Sequence, residues 1–105
     1  MNDFNMKLLN TIGKEIGYCL KRAQTEEDPK EISYWKENAE SLTRNLQKEI
    51  IPALEEWVKE SKEELPKIIG MLQAKAEQKD TEGFCASMLL RHLKENCPEV
   101  FTNEP

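Results

Sequence analysis

The 105-residue sequence is poor in the residues that build small-molecule sites: it has four glycines and a single histidine. Phosphate-cradling loops need glycines clustered at a helix N-terminus. No GxGxxG, GxxxxGK[ST], GxSxG or CxxC pattern occurs in the chain. These absences argue against catalysis, and no cofactor is expected. Long apolar runs are also missing; none approaches the roughly 20 residues of a membrane span. Lys7, Asn10, Lys14 and Glu15 interrupt any apolar stretch near the N-terminus, so no signal segment is read there. The three cysteines are an odd number scattered through helical patterns. That fits a reducing compartment, and a cytoplasmic location is expected.

What is present is charge. Charged residues make up 33% of the chain against 38% hydrophobic, a balance that suits a small folded helical protein rather than a disordered one. The net charge is −5. Most of it sits in residues 26–66, where twelve acids face six Lys/Arg, whereas residues 1–25 carry four Lys/Arg against Asp3 and Glu15. An acidic chain is repelled by phosphate backbones, so nucleic acid is not an expected partner and a basic protein is.

Hydrophobic spacing predicts helices almost end to end. Between Asp3 and Gln24, the residues Phe4, Leu8, Leu9, Ile12, Ile16, Cys19, Leu20 and Ala23 recur at three- and four-residue intervals, with Lys7, Lys14 and Lys21 on the opposite face. Asp28-Pro29-Lys30-Glu31 supplies a capping acid, a proline at the first helical position and a Glu three residues after the cap. Ile32, Trp35, Ala39, Leu42, Leu46 and Ile50 then follow along one narrow seam, and this helix is expected to end near Ile50 or Ile51, ahead of Pro52. A third segment carries Leu54, Trp57, Val58 and Leu65 on one face. Ile68, Ile69, Leu72 and Ala76 keep the same phase beyond Pro66, so one kinked helix over 52–79 is preferred to two helices. A fourth follows Asp80, and Phe84, Cys85, Ala86, Met88, Leu89, Leu90 and Leu93 cover most of its circumference. Short connections make neighbours antiparallel. The expected fold is all-α: a small antiparallel four-helix bundle with its third helix kinked or split at Pro66. Residues 1–98 are read as one domain and 99–105 as a frayed tail, with Val100 and Phe101 able to dock back.

Five features could carry function. His92 falls within the apolar arc of the fourth helix and could line a pocket with Cys85. Seven residues separate the two, roughly 10 Å along a helix, too far to share a metal or to pair as base and nucleophile. The bland alternative is a core histidine bonded to a carbonyl or a water. Gly13 and Gly17 lie one turn apart beside the apolar face of the first helix. Interior glycines cost about 1 kcal/mol each relative to Ala, so a close helix contact is expected there, within the chain or with a second copy. Glu56, Glu60 and Glu63 form an acidic stripe on the third segment, either solvated or a docking face. Tyr34 falls off its helix's seam and is expected to be exposed. Glu37-x-x-Glu40 and Glu60-x-x-Glu63 resemble the paired acids that hold magnesium in all-helical nucleotide pyrophosphatases of the MazG type. That resemblance covers four residues, and Glu37 and Glu40 face away from the Trp35–Leu42 seam, where a metal site needs converging acids.

Three readings follow. The first is a protein–protein interaction module, of which an acidic inhibitor blocking a basic enzyme is one form, as in immunity proteins, antitoxins and phage-encoded anti-defence proteins. The second is a self-associating structural protein, a homodimer in its simplest form. The third is an enzyme or small-ligand binder built around His92.

Overall fold

The helix boundaries of this chain follow from a few capping and helix-breaking residues. The computed structural model describes residues 4–101, and among them every regular element is helical. Helix α1 spans Phe4–Thr25, α2 Pro29–Asn45, α3 Ile51–Glu60, α4 Leu65–Ala76 and α5 Thr81–Asn96. A short 3-10 turn, Pro98–Phe101, ends the described chain. No helix among the described residues is long and apolar enough to cross a membrane.

The expected cap residues act as caps. Asp28 accepts from the Lys30 N–H with Pro29 in the first turn of α2, and Asp80 accepts from the Gly83 N–H at 2.8 Å at the start of α5. The expected stop before Pro52 does not occur. Ile50 and Ile51 keep helical angles, and the chain runs on into α3. Between them, residues Leu46–Ile50 form one widened turn in which the Ile51 N–H reaches back five residues to the Leu46 carbonyl. A proline ring collides with the carbonyl four residues earlier; opening the turn around Lys48 relieves that collision without ending the rod.

Pro66 is resolved differently, and the expected single kinked helix over 52–79 is replaced by two. The break lies at Ser61, five residues upstream of the proline. Ser61 leaves the helical region (φ −93°, ψ 49°), and its hydroxyl donates back to the Trp57 carbonyl at 2.7 Å, closing α3. A 3-10 turn, Lys62–Glu64, then restarts the chain so that Pro66 falls in the first turn of α4, where its missing N–H costs nothing.

Four helical rods pack against one another around α5, which touches α1, α3 and α4. The core draws on all of them: Leu9, Leu46, Val58, Ile68, Leu72, Leu89 and Leu93 are each essentially sealed from solvent. Segment α5 is therefore wrapped by its neighbours, and only Phe84 among its large apolar residues is exposed. At the C-terminal end Cys97 and Val100 are buried and Lys94 lies 5.7 Å over the Phe101 ring, so residues 98–101 dock back; residues 102–105 lie outside the described residues.

The molecule is elongated, 57 × 23 × 22 Å, with a radius of gyration of 15.4 Å. A compact chain of this length would have about 13 Å. The cause is the α1–α2 hairpin. Helix α5 begins beside Gly13 and Gly17, and beyond that point α1 packs along α2. Cys19, Ala23 and Ala39 are buried in the hairpin, outside the main core cluster.

Candidate functional site: the hairpin surface

Among the described residues, the four large hydrophobics that stand exposed lie on or beside this hairpin: Tyr18 (54%), Leu20 (41%), Tyr34 (55%) and Phe84 (51%). They fall on two flanks. On one, Trp35 sits at the centre of an aromatic cluster, edge-on to Tyr18 at 5.5 Å and to Tyr34 at 5.1 Å. The Arg22 guanidinium lies 5.0 Å over the Trp35 ring and is held by Glu26 at 2.6 Å and by the Tyr18 hydroxyl at 3.3 Å. These bonds keep the guanidinium charged and fixed over the indole. Trp, Tyr and Arg on rigid helices are the residue types that anchor protein interfaces, because they supply large contact area at low entropic cost.

The other flank is a groove of about 730 Å³ between α1, α2 and the first turn of α5. Ile16, Leu20, Ala39 and Phe84 form its apolar floor and wall, and Lys36, Glu40 and Arg44 run along its α2 edge. The three charges are four residues apart, one above another on the helix.

The remaining sequence-derived candidates fall elsewhere. The Gly13 and Gly17 surface is occupied from within the chain. A Cβ on Gly13 would stand 2.7 Å from the Glu82 Cα, and one on Gly17 would stand 2.5 Å from the Thr81 hydroxyl. The Thr81 hydroxyl donates to the Gly13 carbonyl at 2.5 Å. Glu82, in the first turn of α5, lies 3.5 Å from Lys75 and 3.9 Å from Lys14, so one acid links α1, α4 and α5. The close contact foreseen for the glycines is thus intramolecular, and a dimer through them is set aside.

His92 and Cys85 do not meet in a pocket. Cys85 is fully buried, and burial, with Glu82 nearby, pushes its thiol up to about 11. His92 is partly exposed and bonds the Glu55 carboxylate through Nε2, a carboxylate in place of the carbonyl or water expected. Asn96 Nδ2 lies 3.3 Å from His92 Nδ1 and donates to the His92 carbonyl at 2.9 Å. Lys59 completes the chain at 3.1 Å from the other Glu55 oxygen. The bond from Lys59, with that from His92, outweighs burial and holds the Glu55 carboxyl below its usual range. This network clamps α3 to α5 above a shallow recess of about 180 Å³ that includes Gln47 and Arg91.

Glu56, Glu60 and Glu63 are all exposed, but the stripe is interrupted. Ser61 ends α3 between Glu60 and Glu63, and Lys59 lies 3.8 Å from Glu56. Among the described residues, no group of three His, Cys, Asp or Glu is placed to hold a metal ion, and Glu37 and Glu40 face solvent. The aromatic cluster was the feature that reading the sequence left unassembled. A hairpin turning at residues 26–28 brings Tyr18 opposite Trp35, and that pairing was the available signal. The chain matches no protein-family model, no curated protein and no solved structure.

Proposed function

We propose that this chain is a protein–protein interaction module, a small antiparallel four-helix bundle of α1, the continuous α2–α3 rod, α4 and α5, whose contact surface is the α1–α2 hairpin. One observation carries the reading: every strongly exposed large hydrophobic among the described residues lies on or beside that hairpin. Isolated exposed apolar residues are ordinary. Four gathered at one end of an elongated molecule, beside an ordered Arg–Trp–Tyr cluster, are what an interface presents before it is covered. A cytoplasmic setting is part of the proposal, since all three thiols are free and buried.

A second reading is the acidic inhibitor. It keeps Glu56, Glu60 and Glu63 as the docking face for a basic enzyme, and their exposure favours it. Acidic faces accelerate docking onto basic sites, and binding of that kind weakens steeply with salt.

One experiment separates the two. Tagged wild-type protein, a Tyr18→Ser/Tyr34→Ser/Phe84→Ser variant and a Glu56→Lys/Glu60→Lys/Glu63→Lys variant are used as bait at low and high salt, with folding checked by circular dichroism. The hairpin reading expects a captured protein to be lost with the first variant and kept with the second. The reverse pattern, with loss at high salt, would transfer the function to the acidic stripe.

A further inference from the structure

Resting on the hairpin as an interaction surface, we infer that its groove side receives a second copy of this chain in a two-fold symmetric dimer, the Phe84 of each copy seated in the groove of the other.

The groove and its occupant are on the same molecule. Phe84, the half-exposed ring, stands at the edge of the apolar recess formed by Ile16, Leu20 and Ala39. A two-fold axis places each ring over the opposite recess and buries both at once, the self-complementary arrangement that closes after one contact.

Charge decides between a second copy and a basic protein. The groove's edge carries Lys36, Glu40 and Arg44, two cations and one anion, in a molecule whose net charge is −5. A basic partner meets repulsion there. A second copy does not: with the α2 helices crossing antiparallel, an axis between Lys36 and Glu40 pairs Lys36 with the other copy's Glu40, twice. The face removed from water is the part of the hairpin that is not acidic.

Sedimentation equilibrium of the full chain from low to high micromolar concentration tests this. The expected result is a mass rising from 12.2 kDa to twice that value. Leu20→Ser/Phe84→Ser, at exposed positions, should weaken association at least tenfold with an unchanged far-ultraviolet spectrum. Two charge variants, Glu40→Lys and Lys36→Glu/Arg44→Glu, should each dimerise at least tenfold more weakly alone. Mixed one to one, they should associate near the wild-type level, because every facing pair is then opposite in sign. A wild-type monomer at all concentrations overturns the dimer. A dimer indifferent to Leu20→Ser/Phe84→Ser, or charge variants that mixing does not restore, overturns this face. In either case the broader interaction reading stands or falls separately, on whether the hairpin variant loses a captured protein.

Discussion

Replacing Gly13 by Ala should destabilise the protein, although the same change inside a free helix stabilises it. Alanine at a helix interior gains about 1 kcal/mol over glycine. At Gly13 the new Cβ would lie 2.7 Å from the Glu82 Cα and 3.1 Å from the Glu82 N. Carbon atoms pack best at about 3.5–4.0 Å, so the first turn of α5 must retreat by roughly 1 Å. Because the clashing atoms are backbone, no rotamer change relieves it. Overpacking of this kind costs about 1–3 kcal/mol. The retreat also stretches the Thr81 hydroxyl bond to the Gly13 carbonyl, worth about 1 kcal/mol. The balance is a net loss of about 1–3 kcal/mol, a fall in Tm of roughly 5–15 °C for a chain this size. Gly70 is the control within the same protein: it is exposed in the middle of α4 and a Cβ there meets nothing within 4 Å. Gly70→Ala should therefore raise stability by up to about 1 kcal/mol. Gly83→Ala should be worst, with its Cβ 2.0 Å from the Gln78 carbonyl oxygen. Urea titrations of the three variants read the series directly. If Gly13→Ala equals or exceeds wild type while Gly70→Ala gains as expected, α5 does not rest on α1 at this point.

Three further expectations follow from the clamps and the core. The carboxyl of Glu55 is held below its usual range when folded, so its contribution to stability is present above about pH 4.5 and is lost as pH falls through the folded value. Glu55→Gln should thus lower stability at pH 7 and flatten its decline from pH 6 to pH 3, and an unchanged slope in denaturant titrations would remove Glu55 from the clamp. Cys19, Cys85 and Cys97 are buried and their thiols are pushed up, Cys85 to about 11, chiefly by burial. Because the thiolate is the reactive form, a thiol reagent at pH 7 should label the native protein slowly and all three sites at once in denaturant; fast labelling of native Cys85 would contradict its burial. Asp80→Ala removes the acceptor for the Gly83 N–H and should cost about 1 kcal/mol in the same urea assay.

Much of the fold was legible because it depends on short-range periodicity. The spacing from Leu9 to Ala23 marks the buried face of α1 except at the exposed Leu20, the series from Ile32 to Ile50 follows a face of which Ala39 and Leu46 are buried and the rest half-buried, and Asp28 and Asp80 mark helix starts through local side-chain chemistry. The misplaced boundaries share one physical cause. A proline acts on the carbonyl four residues before it, so Pro52 and Pro66 change the chain near Lys48 and Ser61, a full turn upstream of where the letter P stands. Which remedy each site takes depends on its neighbours: Ser61 can close a helix with its hydroxyl, and no residue from Leu46 to Ile50 does so. The same boundary splits the acidic stripe, since Glu60 and Glu63 share a face only if α3 continues past Ser61.

The side-chain sites were harder to read because they are made between helices. His92 meets Glu55 across 37 positions, and Thr81 meets Gly13 across 68. No spacing within one helix encodes either pair. Gly13 and Gly17 show what such a pattern does specify: a backbone that something must approach closely, without naming what approaches. The structure assigns that approach to Thr81 and Glu82 and so removes the glycines from the list of free surfaces. Seating α5 at Gly13–Gly17 also ends the four-rod packing there and leaves the rest of α1 against α2. The exposed aromatic end is thus a direct consequence of where two glycines stand in the first helix. Moving that seat toward Thr25 would cover the hairpin and, with it, the exposed Tyr18 and Leu20.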